Sequence, residues 1–396
     1  MRTYGRVYET VDLDAIRHNM EAMKLNLRPG TKMIGVVKSD GYGHGSVPVA
    51  LAIDSYVWGY AVATAEEGVI LRKHGITKPI LVLGVVPFDG YQLLVDYDIS
   101  SAIFQLKKAM RLSSLAEKAG KKAVVHLALD TGMSRIGYPV TEEAAEEAAQ
   151  ICRLPGIYAE GLFTHFAKAD ETDKKATGSQ IERFQAFVEM LGKRGITIPV
   201  LHCSNSAGIL DLQEANFHLV RAGISIYGLY PSSEVKKEPV KLEPAMELKS
   251  AISYIKKIGS GTSVSYGGTF TAEQEMTVAT IPVGYGDGYP RNLSGKGEVL
   301  IRGKRAKILG RVCMDQFMVD VTDICGAEEE DEVVLIGRQG EKQITVEELA
   351  ERCGGFHYEI ICDISKRVPR VYLQQGEVVG TKDYFNDCYN SFLKVR

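Results

Sequence analysis

Eight short apolar segments alternate with helix-like segments in the N-terminal half of the chain, and this alternation limits the possible folds most strongly. The apolar segments are rich in valine, isoleucine and leucine, as buried parallel strands are. They are Met33–Val37, Tyr56–Val62, Pro79–Leu83, Ile99–Phe104, Ala123–Leu129, Ile157–Phe163, Ile198–His202 and Phe217–Val220. Helical spacing marks Ala65–His74, Lys107–Ala119, Thr141–Arg153 and Gln180–Arg194. Eight such repeats predict a (β/α)8 barrel. A doubly wound sheet is the alternative, but its usual Gly-x-Gly-x-x-Gly pattern is missing after the first segment.

The helical pattern ends near residue 232. Residues 232–244 contain lysines, glutamates and prolines with little periodicity, which is typical of a linker. Short β-rich runs separated by glycine-bearing turns follow, and Thr345–Arg352 is the one helix expected among them. We therefore predict a barrel over residues 11–235 and a mainly β domain over residues 236–396, with residues 1–10 packed against the second.

Composition narrows the functional classes. The 396 residues carry a formal net charge of −3, which does not indicate a nucleic-acid or membrane partner. The first ten residues lack the apolar core of a signal peptide, and no apolar run is long enough to span a bilayer. The seven cysteines have no metal-type spacing. We expect reduced thiols, no metal site and a cytoplasmic protein.

Lys38 follows the first apolar segment and precedes a loop with glycines at 41, 43 and 45. A lysine at a buried strand end is poorly solvated, which favours a neutral amine able to form a Schiff base. The alternative is an ordinary lysine whose ammonium group extends to water. The glycines predict a loop whose backbone approaches another group closely.

Two later loops have the composition of a phosphate site. Residues 202–208 after the seventh segment and Arg221–Ile224 after the eighth offer glycine and backbone amides, and barrels often bind phosphate there. Ser206 is equally well explained as a helix N-cap. A lysine and a phosphate site on one barrel face indicate pyridoxal phosphate, although a lysine-dependent aldolase remains an alternative.

Three further side chains follow barrel segments. Arg221 beside the cofactor would keep the pyridine nitrogen unprotonated, because a guanidinium stays charged. His165 could support the ring, but a buried structural histidine is the alternative. Arg135 could hold a phenolate or carboxylate oxygen, with a surface ion pair as the alternative.

The β domain contains three clusters of tyrosine, arginine or aspartate next to glycine, at 264–268, 284–291 and 310–315. Turn chemistry explains the glycines. Inversion at a carbon atom needs a base on each face, and a lysine with a tyrosine would supply them.

These segments resemble the alanine racemase family, the pyridoxal-phosphate enzymes built from a barrel and a β domain. The resemblance runs from near Asp12 to Arg370. It implies that Lys38 binds the cofactor covalently and is one base. It also implies that Arg221 meets the pyridine nitrogen and that His165 supports the ring. The phosphate would be held by Tyr42, Ser206, Gly223 and Ile224.

The resemblance makes Lys38 the base on the D-alanine side and Tyr266 the base on the L-alanine side, with Tyr266 supplied by the partner subunit of a homodimer with shared active sites. Arg135 and the backbone of Met314 would hold the substrate carboxylate. The entrance would be lined by Asp170, Tyr285, Arg291 and Arg311. The implied reaction converts L-alanine to D-alanine for cell-wall peptidoglycan.

Two positions depart from the family pattern. Ala128 stands where many members have a carbamylated lysine, so Arg135 needs another anionic partner such as chloride. Lys366 stands where many have a tyrosine beside the substrate side chain, which leaves serine or a broader substrate range as an alternative. A pyridoxal-phosphate decarboxylase and a non-catalytic carrier of the cofactor are less favoured alternatives.

Overall fold

The computed structural model describes residues 4–383 and 388–390, which divide into two compact units. The barrel unit contains residues 15–41 and 46–244. The second unit is mainly β; it contains the described residues from Ala245 onward, the N-terminal segment up to Asp14 and the short stretch Tyr42–Gly45.

Strand β1 (Val7–Asp12) belongs to the mainly β unit, and strands β2–β9 close into an eight-stranded parallel barrel. In chain order, β2–β9 are Lys32–Val36, Gly59–Val62, Ile80–Val82, Ser100–Ile103, Ala123–Ala128, Ile157–Phe163, Val200–His202 and Leu219–Ala222. Pairing of β2 with β9 closes the ring. The predicted barrel is therefore confirmed, and the doubly wound alternative is wrong.

Helices connect the barrel strands. They are Ser46–Ile53, Ala65–Lys73, Tyr91–Asp96, Leu106–Lys118, Glu142–Cys152, Lys175–Lys193 and Ser206–Asp211, and a further helix, Leu13–Leu25, precedes β2. Several begin where cap residues predict. Thr64 and Glu67 form a capping box, and the Thr141 hydroxyl accepts from the amide of Ala144.

The second unit is built on one large sheet in which β1 lies between Met246–Ala251 and Arg370–Gln374. The described strands after β9 are Met246–Ala251, Tyr254–Ile258, Ser263–Val264, Phe270–Thr271, Met276–Ile281, Glu298–Ile301, Lys304–Leu309, Phe317–Asp320, Glu332–Gln339, Lys342–Ile344, Arg370–Gln374, Glu377–Asp383 and Cys388–Asn390. Thr345 caps the expected helix, Val346–Cys353. The expectation of a single helix is wrong, because His357–Asp363 forms a second one.

None of the helices within residues 4–383 and 388–390 combines the length and the hydropathy needed to cross a membrane.

Candidate active site

Lys38 begins a left-handed turn at the end of the first barrel strand. The strand ends at Val36, and Ser39, Asp40 and Gly41 then have φ values of 54°, 50° and 65°. This conformation costs a non-glycine residue about 1–2 kcal/mol. Side chains stabilise it here: Glu67 Oε1 accepts from the Ser39 amide at 2.6 Å, and Asp40 Oδ1 accepts from the Ser46 amide at 3.0 Å. The backbone that presents Lys38 is therefore held by two carboxylates.

The next glycines allow close backbone approach within the mainly β unit. A Cβ atom on Gly43 would lie 2.0 Å from the Ile361 carbonyl oxygen, and one on Gly45 would lie 2.0 Å from the Tyr372 hydroxyl. Arg370 Nε donates to the Gly43 carbonyl at 3.0 Å. Only glycine fits at these positions, which is the reason expected for a glycine-rich loop.

A cavity of about 240 Å³ opens at the C-terminal ends of the barrel strands. Four of the predicted site residues line it: Lys38, Arg135, His165 and Arg221. The rest of its lining is Ala63, Leu83, Gly84, Ala128, Leu129, Met133, Ile136 and Phe163. The lining has three cationic side chains, no carboxylate and several apolar groups, so it suits an anionic ligand with an apolar body.

Arg221 is 2% exposed and donates to backbone carbonyls, reaching those of Thr164 and Cys203 at 2.8 Å each. Burial lowers the pKa of Arg221 to about 10, and the nearby charge of Arg135 acts in the same direction. Arg221 therefore remains a cation at neutral pH.

His165 lies beside Arg221, with 3.4 Å between its Nδ1 and an Arg221 guanidinium nitrogen. Burial, followed by the positive charges of Arg221, Arg135 and Lys38, lowers the pKa of His165 to about 3. Its ring is neutral at physiological pH and can accept a hydrogen bond.

Ser206 contacts the second glycine-bearing loop. Asn205 caps the helix by accepting from the Gly208 amide, so the N-cap explanation of Ser206 is wrong. The Ser206 hydroxyl instead accepts from the amides of Gly223 at 3.0 Å and Ser225 at 3.3 Å. The hydroxyl and these amides therefore converge, which suits a phosphate group.

Ala128 forms part of the apolar lining of the cavity. It is 1% exposed and clusters with Ala102 and Phe163, against which Leu83 and Phe104 pack. Among the described residues, no carboxylate is within ion-pair distance of Arg135. An external anion as the partner of Arg135 stays a prediction.

A second cluster of predicted residues lies in the mainly β unit. Tyr266 is 71% exposed, and the preceding residue, Ser265, donates its hydroxyl proton to the Arg311 carbonyl at 2.6 Å. The Tyr285 amide donates to the Cys313 carbonyl at 3.1 Å, one residue before Met314. The Ser294 hydroxyl accepts from the Val312 amide, and the Ser294 amide donates to the Arg291 carbonyl. Three loops carrying these residues are thus hydrogen-bonded together.

Comparison with known proteins shows the family to which the chain belongs. The family model described as "Alanine racemase, N-terminal domain" matches residues 11–231, and that described as "Alanine racemase, C-terminal domain" matches residues 245–372. The chain belongs to the alanine racemase family. An alanine racemase of Desulforamulus reducens is 44% identical over 368 residues, or 93% of this chain and 99% of the relative. Alanine racemase 1 of Clostridium acetobutylicum is 44% identical over 379 residues, or 96% of this chain and 98% of the relative.

Solved structures of alanine racemases share the fold. That from Clostridium difficile 630 has a TM-score of 0.93 and 39% identity, covering 97% of this chain and all of the other. That from Bacillus anthracis with bound L-Ala-P has a TM-score of 0.93 and 37% identity, covering 98% and 100%.

The alanine racemase family consists of pyridoxal-phosphate-dependent isomerases. The barrel cavity fits this cofactor on its own chemistry: a lysine for covalent attachment, an arginine held without a carboxylate contact, and converging amides for the phosphate. Tyr42 lies in the mainly β unit, and Asp170 lies in the barrel unit, where its carbonyl accepts from Ser232.

Sequence reasoning did not single out His126 and Glu160, two residues of this alanine racemase that side-chain contacts connect to Arg221 through His202. His126 is buried and lies 2.8 Å from His202, which in turn contacts Arg221 at 2.8 Å. A histidine within a run of apolar strand residues was the available signal.

Proposed function

We propose that this chain is a cytoplasmic alanine racemase that uses pyridoxal phosphate to interconvert L- and D-alanine and so supplies D-alanine for peptidoglycan. One observation carries the proposal: the barrel cavity of an alanine racemase family member contains Lys38, neutral His165 and buried cationic Arg221 around one space. The cofactor carries an anionic phosphate and a small amino acid carries a carboxylate, and the cavity has no carboxylate in its lining.

The barrel residues have distinct proposed roles. When bound, pyridoxal phosphate supplies an electron sink that acidifies the Cα proton of the substrate. Lys38 carries the cofactor and exchanges a proton at Nζ on one face of Cα. Arg221 would meet the pyridine nitrogen and keep it unprotonated, and His165 would support the ring. Tyr42, Ser206, Gly223 and Ile224 would hold the phosphate.

The remaining proposed residues supply the second base and bind the substrate. The Tyr266 hydroxyl exchanges a proton on the opposite face, and its exposure leaves it available to a second subunit of a homodimer. Arg135 and the Met314 backbone orient the substrate carboxylate. The path to the site passes Asp170, Tyr285, Arg291 and Arg311. Lys38 and Tyr266 both act on Cα, so neither proton transfer depends on the side chain of the amino-acid substrate.

Serine is the second candidate substrate, and Lys366 favours it. Lys366 is exposed, on a segment whose neighbour Arg367 donates to Asp287 and Asp315 at 2.7 Å each. A flexible lysine leaves more space for a hydroxymethyl group than the tyrosine common in the family. A site that merely admits a hydroxyl discriminates by about a hundredfold at most.

The experiment measures loss of optical rotation and Cα proton exchange for a panel of L-amino acids. We expect alanine to be the best substrate, with slower turnover of serine. Release of carbon dioxide would instead support the decarboxylase.

Borohydride reduction and peptide mapping should place the pyridoxyl group on Lys38. Lys38→Ala should lose racemisation by several orders of magnitude while the exposed control Lys193→Ala keeps it. Labelling of another lysine would contradict this assignment.

A further inference from the structure

A row of hydrogen-bonded side chains leads from Arg221 to the outside of the barrel. Four consecutive strands contribute to it: β6 carries His126, β7 carries Glu160, β8 carries His202 and β9 carries Arg221. Arg221 Nη1 lies 2.8 Å from His202 Nδ1, His202 Nε2 lies 2.8 Å from His126 Nδ1, and His126 Nε2 lies 3.2 Å from Glu160 Oε2. Both histidines are fully buried, whereas the Glu160 side chain is 21% exposed.

The guanidinium of Arg221 determines which ring nitrogen donates in each hydrogen bond of this row. Arginine can only donate, so His202 Nδ1 must accept from Arg221. The pKa of His202 is far below its usual value, because of burial first and then the charge of Arg221, so the ring is neutral and carries its proton on Nε2. That proton must be donated to His126 Nδ1. His126 then carries its own proton on Nε2 and donates it to the Glu160 carboxylate. Every hydrogen bond points from Arg221 toward Glu160.

The barrel makes room for this row. A Cβ atom on Gly161, next to Glu160, would lie 2.2 Å from His126 Nδ1. The pairing of β6 with β7 shifts register between Val125 and His126. A glycine and an irregularity at one buried imidazole show that the strands are adapted to hold it. His202 is also fixed by stacking on Phe163, with ring centroids 5.1 Å apart.

We propose that Glu160 and His126 are positioning residues of the racemase site, which act through His202 on the Arg221 guanidinium. The Glu160 carboxylate accepts the proton at the end of the row and so stabilises the ring tautomers that Arg221 requires, in which His202 presents a lone pair to the guanidinium. Chains of this kind polarise each hydrogen bond along them. The consequence is a guanidinium fixed in orientation at the wall of the cavity. This inference rests on the proposed function only in assigning the pyridine nitrogen to Arg221.

Glu160→Gln tests the inference in the pyridoxal-phosphate holoenzyme. The amide keeps the size of the side chain and can still accept from His126, but it removes the charge, and its NH2 group can also donate to His126 Nε2, which weakens the preference for these tautomers. We expect kcat for alanine to fall about tenfold, because a tenfold change in rate corresponds to the free-energy contribution of about one hydrogen bond. KM should change by less than about twofold. The visible absorbance band of the bound cofactor should shift. Glu146→Gln, which removes an exposed carboxylate paired with Arg194, is the matched control and should change neither.

A second measurement examines the rings directly. Proton–nitrogen NMR of histidine-labelled wild type without cofactor should show His126 and His202 neutral, with the proton on Nε2, at pH 7. Either ring protonated on Nδ1 would overturn the proposal, even if Glu160→Gln failed to fold. The proposal is also overturned if Glu160→Gln matches the control in kcat and absorbance and differs only in thermal stability. If wild type bound no cofactor and racemised nothing, the proposed function would be wrong, whereas the ring tautomers would still decide the hydrogen-bond row.

Discussion

Ser265 has a backbone conformation that normally belongs to glycine. Its φ of 65° and ψ of −179° immediately precede Tyr266. A non-glycine residue in this region stores about 1–3 kcal/mol, which surrounding contacts must offset. The Ser265 hydroxyl supplies one such contact by donating to the Arg311 carbonyl. Gly310 supplies space, because a Cβ there would lie 2.5 Å from the Val264 carbonyl oxygen. The direction in which the chain presents Tyr266 therefore depends on Ser265.

Two substitutions at Ser265 should move Tyr266 while affecting stability differently. Ser265→Ala keeps the strained Cβ and loses the hydrogen bond, so the free energy of unfolding should fall by about 1 kcal/mol. Ser265→Gly loses the same bond but relieves the strain, so its stability should change less. In both variants, proton removal from L-alanine by Tyr266 should become slower. The primary deuterium isotope effect on kcat/KM should rise for Cα-deuterated L-alanine more than for Cα-deuterated D-alanine.

Ser263→Ala is the matched control, because its hydroxyl contacts Thr271 at 3.1 Å in the same hairpin. It should leave both isotope effects unchanged. Equal changes with the two enantiomers in the Ser265 variants would show that this residue does not act through Tyr266.

Some residues were predictable one at a time and others were not. Lys38 and Arg221 are identifiable because each follows an apolar run in a barrel pattern. The strained backbone of Ser265 could not be predicted from the sequence, because serine is common in turns and its φ is set by contacts with Arg311 and Gly310. The sequence shows a histidine at position 126, but its connection to Arg221 could be predicted only from the side-by-side order of strands β6 to β9.

At the scale of elements, periodicity predicted the type of most strands and helices but not their ends. The eighth apolar run was predicted at Phe217–Val220, whereas the strand is Leu219–Ala222. Phe217 is apolar for another reason: it packs against Phe184 with ring centroids 5.4 Å apart. The helix His357–Asp363 was missed although its buried residues, His357, Ile360 and Ile361, have helical spacing.

The turn after β2 shows a limit of a different kind. Glycines predict a loop, but Ser39 and Asp40 do not predict a left-handed turn, since they are non-glycine residues. The turn depends on Glu67, a residue of the next capping box that also accepts from the Ala63 amide. Local sequence cannot show that a carboxylate 28 positions away completes the turn.

His202, which is buried at the end of β8, and His165, which is half-buried just after β7, give the fold an acid-sensitive element. His165 and His202 have pKa values lowered by burial and then by Arg221, whereas the pKa of an unfolded histidine is about 6.5. Between the folded and unfolded pKa values the unfolded chain binds more protons, so stability is complete above about pH 6.5 and falls as the pH is lowered. The slope is at most about 1.4 kcal/mol per pH unit for each histidine.

His165→Gln removes one of these titrations. Urea unfolding of the cofactor-free protein between pH 7 and pH 4.5 should show a shallower loss of stability in the variant than in wild type. His18→Gln, at an exposed histidine, should follow wild type. If the variant lost stability as steeply as wild type, His165 would not be held neutral by the fold.

At the scale of the whole molecule, the proposed machinery is divided between two compact units. The cavity residues Lys38, Arg135, His165 and Arg221 belong to the barrel unit, whereas Tyr266 and Met314 belong to the mainly β unit. Each cluster could be recognised from its own loops. The assignment of Tyr266 to a partner subunit came from the family resemblance, because neither composition nor periodicity contains information about a second chain.

The homodimer with shared sites makes a quantitative prediction. Lys38→Ala and Tyr266→Phe should each be nearly inactive alone. If they are mixed in equal amounts, dissociated and reassociated at random, half of the dimers contain one subunit of each kind. Each mixed dimer rebuilds one intact site of its two, because one subunit supplies Lys38 and the other supplies Tyr266. Racemisation should therefore recover to about a quarter of the wild-type rate.

The control for this recovery mixes Lys38→Ala with the double variant that carries both substitutions. No pairing of those chains contains Lys38, so their activity should stay at the background level. Native mass spectrometry measures the fraction of mixed dimers in each sample, and recovered activity should rise in proportion to that fraction. Mixed dimers without recovered activity would mean that Lys38 and Tyr266 do not meet across a subunit boundary. A protein that stays monomeric at catalytic concentrations while racemising alanine would exclude a shared site altogether.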